Sequence, residues 1–182
     1  VGASLGAESI EKSLFAGMVG LILVAIFMIL YYRLPGLLSV IALMIYGIFV
    51  LFLFKIIPVT LTLSGIAGFI LSIGMAVDAN VLIFERLKEE LRSGKPLGSA
   101  IDEGFKRAWT SIRDGNVSTL ITCFILAWFG TSMIKGFAIT LGLGVLVSMF
   151  SAVVITRLLL KLFINPEKQS DRMWLFGVKV KK

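Results

Sequence analysis

Within GMAVDANVLIFERLKEELR, residues 74 to 92, an acid and an amide, Asp78 and Asn80, interrupt a run that is otherwise apolar or small as far as Phe84. An acid in such a run has one obvious chemistry, the gain and loss of a proton. Placing a charge there costs about 2.5–3.5 kcal/mol on insertion scales, and a membrane potential supplies about 2.3 kcal/mol per charge per 100 mV. The two magnitudes are comparable, so a potential of ordinary size can drive protonation, and Asp78 is the candidate proton-coupling residue. Asn80 is grouped with it, although it points to roughly the other face and is expected to bond a neighbouring helix. The competing reading is a neutral Asp78 that only hydrogen-bonds between helices. Most other chemistry is excluded. The chain has no histidine and one cysteine, Cys123 in an apolar run, which removes the usual zinc, haem and Ser-His or Cys-His constellations. No catalytic residue, metal or cofactor is expected, and the chain is not read as an enzyme.

The elements that must position Asp78 are membrane helices. Of 182 residues, 58% are hydrophobic and 16% charged, with a mean hydropathy of +0.98, far from the balance of a soluble domain. The fold class is an all-α integral membrane protein, a polytopic bundle of five spans. The spans are expected near 13–32, 37–54, 61–84, 117–134 and 137–162, each apolar enough to cross a core of about 30 Å at about 1.5 Å per residue. RLPG at 33–36 and KIIP at 55–58 punctuate the first two hairpins, since a proline cannot continue the preceding helix. The expected domains are an external segment 1–12, a transmembrane bundle 13–163 with a loop at 85–116, and a basic tail 164–182. VGASLGAESIEK has neither a basic front nor an apolar signal core. The chain is therefore expected to be a piece of a longer one, with at least one more span and an external segment upstream.

Charge sets the orientation. One side carries Arg33, the seven cations of 85–116 and the seven from Arg157 onward, fifteen of the eighteen Lys and Arg, leaving Lys12, Lys55 and Lys135 opposite. Cations near span ends are retained in the cytoplasm, so the N-terminus is expected outside and the C-terminus inside. The net charge of +7 is thereby explained by topology, without nucleic acid. Within 85–116, Leu97, Ile101, Gly104, Phe105, Ala108, Trp109 and Ile112 share one face, the period of an amphipathic helix lying in the cytoplasmic interface. It either shields the span ends or acts as a lever between the third and fourth spans. The tail mixes cations with Trp174 and Phe176, which suits an anionic membrane surface, with docking to a partner as the alternative.

At 100° per residue, Ser64, Ala67, Leu71, Gly74 and Asp78 fall near one line. Small residues let helices approach closely, so Asp78 is expected to point into the bundle, about 10 Å inside the edge marked by Glu85. Gly65, Gly68 and Gly74, with Gly142 and Gly144 on the last span, form the expected packing seam. Thr119 and Thr122 either face Asp78 through a proton path or bond their own backbone.

These motifs also carry a resemblance. GMAVDANVLIFERLKEELR, then GFKRAWTSIRDGNVSTLIT and FGTSMIKGFAITLGLGVLVSMFSAVVITRLLL, closely resemble the C-terminal membrane half of the SecD family, accessory subunits of the bacterial Sec translocon related to proton-driven RND transporters. The resemblance runs from about Ser9 to Phe163. The sister SecF family usually has an Asn-Asp pair where this chain has VDAN. The resemblance implies that the five spans are the second to sixth of a six-helix domain, and that Asp78 is the family's membrane aspartate. It also places Glu85 and Arg86 on the cytoplasmic FER exit motif, and Asp114 and Asn116 on a second Asp-x-Asn. There Gly115 replaces the commoner Ala, and helix capping competes with a proton path. The implied partners are SecF, the SecYEG channel, a translocating polypeptide and the lipid bilayer of a bacterial plasma membrane. The implied function is the use of the proton-motive force to promote protein export. A self-contained RND-type transporter and a structural scaffold are the rival classes.

Overall fold

The computed structural model describes residues 3–57, 59, 62–164 and 173–177, and these are helical except at short turns. Helix α1 (Ala3–Tyr32) and α2 (Leu34–Ile56) form a hairpin, followed by α3 (Leu63–Arg92), α4 (Leu97–Phe129) and α5 (Ser132–Phe150). The last helix continues through a π-helical turn, Ser151–Ile155, into α6 (Thr156–Phe163), and a 3₁₀ turn follows at Met173–Phe176.

The RLPG punctuation works as expected. Arg33 adopts φ 56° and Pro35 sits in the first turn of α2, where its missing N–H costs nothing. Gly36 is essential to the tightness, because a Cβ there would collide with the Met28 carbonyl. Helix α3 begins at Thr62, whose Oγ1 accepts from the Gly65 N–H at 3.1 Å, and ends before Gly94 at φ +87°.

Among the described residues, four stretches are long and apolar enough to cross a membrane: Gly6–Tyr32, Leu34–Ile56, Leu63–Arg92 and Ser132–Phe163. The expected fourth span is different. Its apolar part, Val117–Phe129, is the second half of one unbroken helix that starts at Leu97. Thirteen residues give only about 20 Å, short of a bilayer core of about 30 Å. The helix also begins earlier than expected at the other end of the chain, since α1 already includes residues 3–12.

Helix α3 is the axis of the bundle, packed mainly on α4 and α5 and more lightly on α1 and α2. Phe15, Ile22, Leu23, Phe27 and Leu30 of α1 are exposed, the pattern of a helix whose solvent is lipid. The amphipathic half of α4 buries Leu97, Ile101, Gly104, Phe105, Ala108 and Ile112, the face the periodicity selects. Its partner is the part of α3 beyond Phe84. A Cβ on Gly104 would lie 3.0 Å from the Leu87 nitrogen. Ion pairs fasten the two helices where they emerge: Glu90 with Lys95 at 2.6 Å and with Arg107, and Arg107 with Glu89 at 3.5 Å.

The described part of the tail folds back onto the bundle. Phe176 is buried, the Arg33 guanidinium lies 4.3 Å from the Trp174 ring centroid and donates to the Trp174 carbonyl, and Gly177 at φ +69° closes the turn. Beside it the buried Lys88 ammonium sits 4.2 Å and 4.3 Å from the Tyr31 and Tyr32 rings. Residues 165–172 and 178–182 of the expected tail lie outside the described residues.

Candidate functional site

Two lines of small residues run along α3, and the bundle uses only one of them as an internal seam. Gly65, Gly68, Ser72, Ala76 and Asn80 are buried. A side chain on Gly68 would collide with Thr140 Oγ1 and the Phe137 carbonyl of α5, and one on Gly144 would collide with Ser72 and come within 3.0 Å of the Tyr46 hydroxyl. Tyr46 and Ser72 share a hydrogen bond of 2.7 Å, so α2, α3 and α5 meet at one satisfied polar junction. A Cβ on Gly142 would lie at ordinary contact distance, 3.5 Å, from Cys123 Cβ.

The line bearing Asp78 faces outward, contrary to the expectation. Ala67, Leu71, Gly74 and Asp78 are exposed, and a Cβ on Gly74 would have nothing within 4 Å. The physical reason is rotational: Asp78 sits about 130° around the helix from the centre of the buried line, and only the buried line finds α5.

Asp78 opens into a cavity of about 290 Å³ between α3 and α4, lined also by Ala79, Leu82, Ser111, Asn116 and Thr119. Among the described residues no hydrogen bond or ion pair reaches its carboxylate. Asn116 is buried beside it. Asp114 is not part of the cavity lining; it is exposed and accepts from Arg113 Nε at 2.9 Å. Neither Asp114 nor Asn116 caps a helix, because α4 runs unbroken through both. Thr119 Oγ1 donates to the Gly115 carbonyl and Thr122 Oγ1 to the Ser118 carbonyl, each at 3.1 Å. Their hydroxyl hydrogens thus serve their own helix, while Thr119 still lines the cavity.

Asn80 does what its position suggests. It is 3% exposed, and its Oδ1 accepts from Thr156 Oγ1 at 2.9 Å. Thr156 is the site residue that sequence reasoning missed, for nothing in VVITRLLL separates a threonine that bonds another helix from one that bonds its own backbone. At the exit of α3, Glu85 accepts from Lys88 Nζ at 3.4 Å and Arg86 donates to Glu89 at 2.8 Å. Across from them Asp102 of α4 holds Arg157 at 2.7 Å and Lys161 at 2.9 Å. The hydrogen bonds from Lys161 and Arg157 keep the Asp102 carboxyl below the usual aspartate range.

The described residues contain no group of three or more His, Cys, Asp or Glu able to hold a metal. What the site offers is a carboxylate next to amide and hydroxyl groups that can order water.

The family model described as "Protein export membrane protein SecD/SecF, C-terminal" matches residues 1–165. Among curated proteins, the chain is 62% identical over 182 residues to the protein translocase subunit SecD of Thermobaculum terrenum, covering 98% of this chain and 35% of that protein. It is 57% identical over 181 residues to the SecD subunit of Dehalococcoides mccartyi, covering 97% and 40%. Among solved structures, SecDF of Thermus thermophilus, a translocon-associated membrane protein, superposes with a TM-score of 0.86 at 38% identity, over 94% of this chain and 23% of that one. The chain thus spans between a third and two fifths of the length of these SecD relatives.

Proposed function

The chain belongs to the SecD/SecF family of protein export membrane proteins, and on that premise we propose that it is the membrane part of a Sec translocon accessory subunit that uses the proton-motive force to promote export. The observation that carries this reading is the exposed carboxylate of Asp78 within a helix long and apolar enough to cross a membrane. A charge cannot rest cheaply against lipid. The open face of α3, with Ala67, Leu71 and Gly74 above Asp78, therefore seats a second membrane bundle, and the SecF sister subunit is the proposed occupant. The SecYEG channel and the translocating polypeptide are the further partners. The location is a bacterial plasma membrane, crossed five times by this segment, with the N-terminal end of the segment outside and the C-terminal end inside. The cation asymmetry supports that orientation.

In this reading Asp78 takes up a proton from the outer side and releases it inward past Asn116 and Thr119. Neutralising the carboxylate removes the cost of its charge and changes which packing of the open face is preferred. The full protein passes that change to its external part as motion. Asp78→Asn keeps the shape but has one protonation state. It should leave the protein assembled and abolish gradient-dependent stimulation of export, while Asp78→Glu retains part of it. Stimulation that survives Asp78→Asn leaves Asp78 as structural glue and removes the coupling claim.

A further inference from the structure

The Asp78 cavity is walled by α3 and α4, and the last helix, which bonds both of them, changes helical type. Helices α3 and α4 are continuous over Leu63–Arg92 and Leu97–Phe129, whereas the last helix passes from α5 into a π turn at Ser151–Ile155 before α6 begins. A π turn holds one residue more than the α-helix it interrupts, with poorer hydrogen-bond geometry. SAVVI contains no glycine or proline that would demand such a break.

The residue that follows the turn is Thr156, which is 0% exposed and bonds Asn80, two residues from Asp78. The next residue, Arg157, bonds Asp102 on α4, and Lys161 one turn later bonds the same carboxylate. Helix α4 then runs without interruption to Asn116 and Thr119 in the Asp78 cavity. The last helix thus holds both walls of the cavity, α3 through Thr156 and α4 through Arg157 and Lys161. If the π turn moves one residue toward the C-terminus, Thr156 rotates by about 100° and its hydroxyl leaves Asn80.

We infer that Thr156 is a positioning residue for the Asp78 site and that the π turn Ser151–Ile155 is its register joint. In one register Thr156 holds the aspartate turn of α3; in the other it lets go, and that turn is free to move against the last helix and the α4 wall that Arg157 and Lys161 hold. This inference rests on the reading of Asp78 as the proton-coupling residue.

Two variants separate the joint from plain packing. Thr156→Val keeps the shape without the donor, with Thr156→Ser as the conservative control. Deletion of Val154, 45% exposed, removes the extra residue, so an ordinary α-helix can keep Thr156 on Asn80 while the register is locked. The full protein with its partner subunit, in vesicles with an imposed proton gradient, is assayed for gradient-dependent export. The same samples report the distance between labels at Arg92→Cys and Leu162→Cys with and without the gradient.

Thr156→Val should lower gradient-dependent export by about fivefold or more, the scale of a lost buried hydrogen bond, and the Val154 deletion, which keeps that bond but locks the register, should lower it by a similar factor. Both should lose the gradient-dependent label response, Thr156→Ser should keep both readouts, and the deletion should melt no lower than the parent. Parental export in either Thr156→Val or the deletion overturns the inference. Failure of the deletion to assemble also overturns it, because a register joint tolerates plain α geometry by its nature. Asp78→Asn measured alongside tells the two claims apart. If it keeps gradient dependence, the reading of Asp78 fails; if it loses it while the other two variants keep it, only the joint fails.

Discussion

The two small-residue faces of α3 look alike in composition and have opposite fates. On one, Gly68 and Ser72 press against α5, and Asn80 ends in a satisfied bond to Thr156. On the other, a Cβ on Gly74 would meet nothing within 4 Å and Asp78 has an open cavity in front of it. Small residues permit close approach, but they do not choose the partner. The polar group at the end of each line is more telling. An amide can be satisfied once and left buried, whereas an acid that must change protonation state is kept where a proton can reach it.

The largest effect that separates the faces is overfilling. Gly144→Leu should prevent assembly of the bundle, since the new side chain meets Ser72 and Tyr46, and overpacking costs about 1–3 kcal/mol even where neighbours can shift. Gly74→Leu should fold at the parent's yield and melting temperature in isolation, but lose co-purification with the proposed SecF partner. Equal damage to isolated folding from both would erase the distinction between the faces.

Next comes the buried bond. Asn80→Leu leaves the Thr156 hydroxyl without its acceptor, and should destabilise the bundle by about 1–3 kcal/mol in thermal unfolding. A melting temperature equal to the parent's would show that the sealed face does not depend on this bond.

The smallest effect is expected at the cytoplasmic edge. Asp102→Asn weakens a half-exposed cluster with Arg157 and Lys161, which is worth less than about 1 kcal/mol. Those cations depress the folded-state pKa of Asp102. Its stabilisation is therefore complete above the unfolded aspartate pKa and disappears as pH falls through the depressed folded value. The parent and Asp102→Asn melting curves should accordingly differ near neutrality and converge in acid. A difference that grows in acid contradicts the assignment.

Much of this was legible in the chain. The RLPG hairpin, the apolar face of α4 from Leu97 to Ile112 and the outward reach of Asn80 to another helix follow from period, proline and polarity. Which face of α3 turns inward was not legible, because two lines of small residues satisfy the same steric rule and only the position of α5 decides between them. Helix α4 was misjudged at Asp114-Gly115-Asn116. These residues favour helix starts as isolated segments, but packing of the flanking turns on α3 carries the helix through them. Thr156 gave no signal, since its role depends on the register set by a π turn that no residue type in SAVVI announces. The return of Trp174 and Phe176 to the bundle was hidden for a similar reason. An aromatic-cationic tail suits a membrane surface, and here its partners are Arg33 and Lys88 of the same chain.

The central claim is that Asp78 exchanges a proton within the membrane. Infrared difference spectroscopy on the full protein with the proposed SecF partner, between alkaline and acidic buffer, observes that exchange directly. A carboxylic-acid carbonyl band should appear on acidification and be missing from the same difference spectrum of Asp78→Asn, with the rest of the spectrum unchanged. Identical carboxyl bands in parent and Asp78→Asn would mean that Asp78 does not titrate, and the account of proton coupling at this site would be wrong.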